Sequence, residues 1–159
     1  MKERLVNMLV VFDLDFTLWD CGGTWCDHTN PPYYRQNGII LDEDQRKIKL
    51  YPEARSILEK LNDQKVLLGV ASRTSAPDWA DELMQLFDIK KYFQFFEIYP
   101  GSKVSHFRSL QEKTGFPYQD MIFFDDEYRN IEEVRRLGVD AVFVEDGMNE
   151  RLLYPYFNT

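Results

Sequence analysis

The sequence contains few cysteines and histidines, the residues that most often build disulfide frameworks and zinc sites. Its 159 residues include two of each: Cys21, Cys26, His28 and His106. The C-x4-C spacing lacks a second ligand pair for tetrahedral zinc, and two thiols are too few for a disulfide framework. We therefore expect a domain stabilised by its hydrophobic core, with reduced thiols and a cytoplasmic location.

The sequence also lacks a long apolar run and a block of positive charge. The uncharged stretch 5–12 ends at Asp13, is too short to cross a membrane, and lacks the small-residue site of a cleaved signal peptide. Acidic residues outnumber lysines and arginines by 27 to 19, which gives a formal charge of −8. Because no basic cluster interrupts this balance, we predict neither nucleic-acid nor membrane binding.

The composition that remains is that of one globular domain. Apolar residues make up 44% of the chain and aromatic residues 15%, which is enough to fill the core of a single domain spanning 1–159. From residue 50 onward, apolar runs of strand length alternate with amphipathic stretches of helical length. This alternation predicts an α/β fold, in which a doubly wound, Rossmann-like parallel sheet carries helices on both faces.

The alternation also predicts the approximate bounds of each element. We expect strands at 9–12, 66–71, 92–98, 121–124 and 141–144, and helices at 52–62, 78–87, 104–114 and 127–137. Residues 20–49 break the pattern and are too many for an ordinary connection. We expect them to form a small flap or hairpin bearing Trp25 or Tyr33, and not a lid domain. An active site covered only by such a flap stays open to solvent.

Polar side chains follow four of the predicted strands. In strand order they are Asp13 and Asp15, then Ser72 and Arg73, then Lys103, and finally Asp125 and Asp126. The carboxyl ends of parallel strands share one edge, where α/β proteins bind their ligands. Crowded carboxylates call for a divalent cation such as Mg²⁺, while a lysine and a hydroxyl suit a phosphate. The set therefore predicts phosphoryl transfer.

The same residues form motifs of a known superfamily. Residues 13–18, Asp-Leu-Asp-Phe-Thr-Leu, resemble the first signature of the haloacid dehalogenase (HAD) superfamily of phosphotransferases. Ser72 and Lys103 stand where that superfamily has its second and third motifs, and the pair Asp125-Asp126 resembles its acidic fourth motif. The runs FDLDFTLW, LYPEA, ASRTS, EIYPGSKVSHF and FFDDEYRNI resemble the magnesium-dependent phosphatase family within it. The resemblance extends over about 9–147.

This resemblance implies a role for each matching residue. Asp13 would be the nucleophile that forms an aspartyl-phosphate, and Asp15 the general acid and later the general base. The implied phosphate contacts are the backbone N–H of Leu14 and the side chains of Ser72, Arg73 and Lys103. The implied Mg²⁺ ligands are Asp13, the backbone carbonyl of Asp15, and Asp126.

Several alternatives stay open. Many relatives have glycine before the first acid of the fourth motif, whereas this chain has Asp125, which can share or replace the role of Asp126 at the metal. The resemblance implies either a phosphotyrosine-type phosphoprotein or a small phosphorylated metabolite, such as a phosphosugar or fructosamine phosphate, with Trp25 as the candidate contact. It leaves any partner subunit undefined.

The function itself has competing interpretations. A receiver-like phospho-accepting switch and a non-catalytic phosphate-binding domain use a similar set of residues. Asp15 argues against a switch, because a base beside the phosphoryl group would activate water and shorten the life of a stored phosphate. It also argues against a dehalogenase, because a halide leaves without a proton. We therefore expect Mg²⁺-dependent hydrolysis of phosphomonoesters.

Overall fold

Parallel strands form the centre of the structure, a computed structural model that describes residue 5 and residues 7–157. In chain order the strands are β1 (Leu9–Phe12), β2 (Trp19–Asp20), β3 (Tyr34–Gln36), β4 (Ile39–Leu41), β5 (Lys47–Leu50), β6 (Leu67–Ser72), β7 (Phe95–Ile98), β8 (Met121–Asp125) and β9 (Asp140–Phe143). Within the described residues, five of them pair in parallel in the order β7-β6-β1-β8-β9. The chain winds outward from β1 in both directions, so the predicted doubly wound α/β fold is confirmed.

Helices cover both faces of this sheet. They are α1 (Ala54–Asp63), α2 (Pro77–Leu86), α3 (Lys103–Thr114), α4 (Tyr128–Arg135) and the short α5 (Tyr154–Phe157). Alternate residues of β1 enter two different hydrophobic clusters: Val10 and Phe12 pack with α1 and α2, whereas Leu9 and Val11 pack with α3 and α4. Successive side chains of a strand point to opposite faces, which explains why this central strand is apolar throughout.

The residues of α3 show why this helix delivers a lysine to the sheet edge. The side chain of Ser102 accepts a hydrogen bond from the N–H of Val104 and so caps the first turn. Gly115 ends the helix in the left-handed conformation, with a φ of +73°. Lys103 therefore lies in the first helical turn, directly beyond the carboxyl ends of the strands.

The segment predicted as a flap or hairpin is an ordered antiparallel sheet. Its strand order is β2-β5-β4-β3, and a 3₁₀ turn at Cys26–His28 lies between β2 and β3. Asn37 and Gly38 both have positive φ angles, +53° and +78°, which suits a two-residue hairpin turn between β3 and β4. The insertion thus contains more regular structure than we expected, and we call residues 19–50 the flap.

Three predicted boundaries are wrong by more than a residue. The helix predicted over 127–137 ends at Arg135, because the next residues form a turn in which the N–H of Leu137 donates to the carbonyl of Val134 at 3.0 Å. The first helix begins at Ala54 and not at Pro52, because residues 51–53 form a turn in which the N–H of Ala54 donates to the carbonyl of Tyr51 at 3.0 Å. The strand predicted from residue 92 begins at Phe95, because Lys90–Tyr92 form a 3₁₀ turn. Across the described part of the chain, no helix is long and apolar enough to span a bilayer.

Candidate active site

The polar residues that follow the strands meet at one open pocket of about 290 Å³. Its walls include six predicted residues: Asp13, Asp15, Trp25, Ser72, Arg73 and Lys103. Three further residues predicted for the site do not line it: Leu14, Asp125 and Asp126. The side chain of Leu14 is fully buried, which leaves its backbone N–H as the predicted phosphate contact. Asp126 lies beside Asp13.

Lys103 is the centre of a buried charged cluster. Its Nζ donates to Oδ1 of Asp13 at 3.3 Å, to Oδ2 of Asp125 at 2.8 Å and to the carbonyl of Ala71 at 2.9 Å. Only 1% of the residue is exposed. A buried ammonium is tolerated when it is paired and hydrogen-bonded, and these three acceptors meet that condition. The cluster joins β1, β6, β8 and α3.

Asp125 connects the charged cluster to the wall of the pocket. Its Oδ2 accepts from Lys103 and from Nδ2 of Asn130 at 3.0 Å, and its Oδ1 accepts from the N–H of Glu127 at 2.8 Å. Oδ1 of Asn130 in turn accepts from Nη1 of Arg73 at 3.1 Å. Asn130 stands in the first turn of α4 directly after the acidic motif, but its residue type and position in the sequence predict no role for it.

Three carboxylates lie close enough to share one cation. One oxygen each of Asp13, Asp125 and Asp126 lies within 4.8 Å of the others. Burial and the nearby Asp125 charge raise the pKa of Asp13 well above its usual range, although Lys103 opposes this. Burial and the same charge raise the pKa of Asp126. This repulsion is what a hard divalent cation relieves, so the donor set fits Mg²⁺.

The two adjacent acids differ in how free their oxygens are. Both oxygens of Asp125 already accept hydrogen bonds, and its side chain is fully buried. Asp126 is half-buried and follows the end of β8. The geometry therefore favours Asp126 as the direct ligand with Asp125 behind it, but a contribution of Asp125 to the metal stays a prediction.

Asp15 lies in a different environment from Asp13, although only one residue separates them. Its Oδ1 accepts from the indole N–H of Trp19 at 2.7 Å, from the backbone N–H of Cys26 at 3.0 Å and from the thiol of Cys21 at 3.7 Å. Burial raises the pKa of Asp15 to about 6, against the opposing effect of the Trp19 and Cys26 hydrogen bonds. The groups that hydrogen-bond to Asp15 are uncharged, and this environment suits an acid that exchanges a proton near neutral pH.

Two hydroxyl groups organise the turns around these acids. Thr17 donates from Oγ1 to Oδ2 of Asp13 at 3.3 Å, and its N–H donates to the carbonyl of Leu14 at 3.1 Å. The hydroxyl of Ser72 accepts from the N–H of Thr74 at 3.2 Å while it lines the pocket. Both hydroxyls therefore help to hold the loops that follow β1 and β6.

The flap supplies the rim of the pocket. Trp25 is 47% exposed and contacts Phe16 and His28 edge to face. Oδ2 of Asp27 accepts from the N–H of Ser75 at 3.2 Å and from its hydroxyl at 3.0 Å, which fastens the flap to the loop after β6. Tyr33, the alternative to Trp25, is buried against Thr29 and does not line the pocket.

Comparison with known proteins identifies the family of this chain. A sequence profile of the acid phosphatase family matches residues 5–154. The chain belongs to this family. The human protein magnesium-dependent phosphatase 1 is 46% identical over 147 residues, which cover 91% of this chain and 82% of that protein. A HAD-like hydrolase superfamily protein of Schizosaccharomyces pombe is 39% identical over 143 residues, covering 82% and 81% respectively.

A solved structure agrees with the fold of this acid phosphatase family member. A HAD-family enzyme from Bacteroides thetaiotaomicron, crystallised with magnesium and inorganic phosphate, matches with a TM-score of 0.68 over 92% of this chain and 98% of that chain. At 13% sequence identity the match concerns the fold alone. The resemblance seen in the sequence motifs is thus confirmed by the family profile, the close relatives and the architecture.

Proposed function

We propose that this Mg²⁺-dependent phosphatase of the HAD superfamily hydrolyses phosphomonoesters through an aspartyl-phosphate on Asp13. One observation carries the proposal: Lys103 is buried between Asp13 and Asp125, while Asp15 lines the same pocket with uncharged hydrogen-bond donors around it. A charged nucleophile site beside a protonatable acid is what transfer of a phosphoryl group requires. The human relative's name supports the dependence on magnesium.

The metal would be held by the side chains of Asp13 and Asp126 and by the backbone carbonyl of Asp15, with Asp125 as a further acid of the cluster. When bound, Mg²⁺ supplies positive charge that offsets both the clustered carboxylates and the charge on the phosphoryl oxygens. The same acids without a cation would repel a phosphate dianion. We therefore expect hydrolysis to depend strictly on the metal.

The first half-reaction follows from the positions of the side chains. Lys103, the hydroxyl of Ser72 and the guanidinium of Arg73 line the pocket and would bind the phosphoryl oxygens, with help from the N–H of Leu14. A carboxylate oxygen of Asp13 attacks phosphorus, and the bond from phosphorus to the leaving oxygen breaks. Asp15 gives its proton to that oxygen, so the alcohol or phenol leaves neutral.

The second half-reaction returns the enzyme to its starting state. The carboxylate of Asp15 takes a proton from water, and the water oxygen attacks the phosphorus bound to Asp13. The bond between the Asp13 oxygen and phosphorus breaks, which releases inorganic phosphate and restores the protonated Asp15. The proton lost to the leaving group is thus replaced from water, and one water is consumed in each turnover.

The open pocket suits a phosphate presented on a bulky group. The exposed ring of Trp25 at the rim offers a face to a phenol ring or a sugar. We therefore propose phosphotyrosine-type and phosphosugar or fructosamine-phosphate substrates, bound by a single domain over 1–159 that acts in the cytoplasm. No nucleic-acid or membrane partner is proposed.

Trapping of the phosphoenzyme tests this function. We expect the protein to hydrolyse 4-nitrophenyl phosphate with Mg²⁺, to lose activity with a chelator and to regain it when Mg²⁺ is restored. Acid quenching with radiolabelled substrate should leave label on the wild-type chain and none on Asp13→Asn. Equal activity in Asp13→Asn would contradict the nucleophile, and a phosphoenzyme that persists without turnover would instead support a phospho-accepting switch.

A further inference from the structure

Three hydrogen-bond donors converge on a single oxygen of Asp15. Within the described residues, the indole N–H of Trp19, the N–H of Cys26 and the thiol of Cys21 all reach Oδ1, at 2.7, 3.0 and 3.7 Å. An oxygen that already accepts from several donors has no lone pair left for a proton of its own. The convergence therefore distinguishes the two oxygens of one carboxyl group.

The donors are themselves held rigidly by the flap. Trp19 is fully buried, pairs with Leu50 in the flap sheet and packs its indole against Phe87. Its backbone carbonyl accepts from the N–H of Phe16 at 2.7 Å. The indole N–H is thus fixed relative to the turn that carries Asp15.

The second donor comes from the 3₁₀ turn of the flap. The carbonyl of Cys26 accepts from the hydroxyl of Thr29 at 2.6 Å, and the Cys26 thiol lies 3.4 Å from Oγ1 of Thr74 on the loop after β6. The N–H of Cys26 is therefore held from two sides. The two ends of the flap segment 19–26, the indole of Trp19 and the N–H of Cys26, therefore donate to the same carboxyl oxygen.

We infer that Trp19 is a positioning residue, which together with the N–H of Cys26 fixes Oδ1 of Asp15 so that Oδ2 carries the proton delivered to the leaving group. This inference rests on the proposed function, in which Asp15 is the general acid. The neutral acid then accepts through its carbonyl oxygen and donates through its hydroxyl oxygen. The flap, in this arrangement, orients the acid and leaves the pocket open.

Leaving-group dependence gives a readout that a purely structural role would not move. The value of kcat/KM reports the steps up to departure of the leaving group, and a good leaving group needs little help from an acid. We propose to measure kcat/KM for substituted phenyl phosphates that differ in the acidity of the phenol and little in shape. For Trp19→Phe, we expect about a tenfold or greater loss on phenyl phosphate and less than about a threefold loss on 4-nitrophenyl phosphate.

A double-mutant comparison separates action through Asp15 from action elsewhere. If Trp19 works through this acid, Trp19→Phe added to Asp15→Asn should change the phenyl phosphate rate by less than about twofold. A loss that is equal for every leaving group, or a further large loss in the Asp15→Asn background, would overturn the inference. Unchanged kinetics in Trp19→Phe would overturn it as well.

Cys26 provides a second test that does not depend on the fold tolerating a change at Trp19. This residue is the first of its 3₁₀ turn, and Trp25 before it is extended with φ −80° and ψ 154°, so proline fits there. Cys26→Pro removes the N–H donor, whereas the matched variant Cys26→Ala keeps it. We expect a steeper leaving-group dependence in the proline variant than in the alanine variant, and equal slopes would contradict the inference.

The same measurements separate this inference from the proposed function. If Asp15→Asn itself shows no steeper leaving-group dependence, or the wild-type protein hydrolyses none of these esters, the general-acid assignment fails. If Asp15→Asn steepens the dependence and neither Trp19→Phe nor Cys26→Pro does, the assignment of the acid stands and the positioning role fails.

Discussion

The two acids of the first motif have opposite surroundings. Asp13 contacts the buried ammonium of Lys103 and lies within reach of two further carboxylates, so its environment is charged. Asp15 contacts an indole, a backbone N–H and a thiol, so its hydrogen-bond partners are uncharged, and we call this the neutral half of the site. The same residue type therefore has two different environments. In the function proposed above, one favours the ionised carboxylate once a cation is bound and the other favours exchange of a proton.

The difference follows from which part of the fold surrounds each acid. The parallel sheet brings Lys103 and the acids at the end of β8 to Asp13, because the strand ends share one edge. The flap brings Trp19 and Cys26 to Asp15. The core thus builds the charged half of the site and the insertion builds the neutral half.

Removal of the buried ammonium group of Lys103 should have the largest effect. In Lys103→Met, Asp13 and Asp125 lose their shared counter-charge while they remain buried, and an unpaired buried charge costs about 3–5 kcal/mol. We expect the free energy of unfolding in chelator to fall by about that amount, as measured by urea denaturation, with part of the loss recovered in Mg²⁺. Activity should fall to background.

An exposed lysine provides the matched control for this change. Lys91 pairs with Asp88 at 3.0 Å, and both side chains are exposed. Lys91→Met should leave the free energy of unfolding nearly unchanged, because surface ion pairs contribute little. If the two variants lost equal stability, the charged cluster would not be the stabilising feature that the contacts indicate.

Replacement of Asp15 should lower the rate of hydrolysis far more than it lowers the stability of the protein. The amide oxygen of Asp15→Asn can still accept from Trp19 and Cys26, so we expect the urea midpoint to move little. The proton for the leaving group is lost, and kcat/KM on phenyl phosphate should fall by about 10²- to 10⁴-fold. A large loss of stability instead would show that the neutral pocket needs the acid for its structure.

The charged half of the site can be predicted from the sequence, because its residues directly follow the ends of parallel strands. Apolar runs locate the strands, and the residues that follow them meet by topology, which is why Asp13, Lys103 and the pair Asp125-Asp126 were predicted together. Which of these two acids is buried depends on where β8 ends. Asp125 is the last residue of the strand and points inward, but neither residue type nor spacing shows where the strand stops.

The neutral half was not accessible in the same way. Trp19, Cys21 and Cys26 reach Asp15 only after the flap has folded back onto the turn, and their types alone name no chemistry. The flap strands have two to four residues, too few for an alternating pattern to stand out. The dipeptide Asn37-Gly38 was the one local signal of the hairpin, and it predicts a turn without saying what the strands cover.

A smaller effect is expected where the flap meets the substrate. Trp25 adjoins Cys26 but points to the open rim, so Trp25→Ala should remove a stacking face and leave the acid in position. We expect KM for aryl phosphates to rise about threefold to tenfold, with the leaving-group dependence of kcat/KM unchanged. Tyr154→Ala, a change of another exposed aromatic residue outside the pocket, is the control. A steeper leaving-group dependence in Trp25→Ala would mean that the rim and the acid are not separable.

The smallest effect concerns a buried base behind the charged cluster. His106 lies one turn after Lys103, and its ring nitrogens face the carbonyls of Ser102, Ser72 and Tyr99 at 2.8 to 3.0 Å. Burial lowers the pKa of His106, and the charge of Lys103 acts in the same direction, against the effect of the three carbonyls. Burial thus favours the neutral form of this base, as it favours the neutral form of Asp15.

Because its pKa is lowered in the folded chain, His106 makes the stability of the protein depend on pH. The unfolded chain binds a proton at this histidine near its ordinary pKa of about 6.5, whereas the folded chain binds it only at lower pH. The contribution of His106 to stability is therefore fully present above that pH and is lost as the pH falls below it. Urea denaturation of wild type and His106→Asn between pH 8 and pH 5 measures the difference, in which the titration of the carboxylates common to both proteins cancels. We expect the stability advantage of the wild type to shrink toward pH 5, and a constant or growing advantage would show that the three carbonyls outweigh burial.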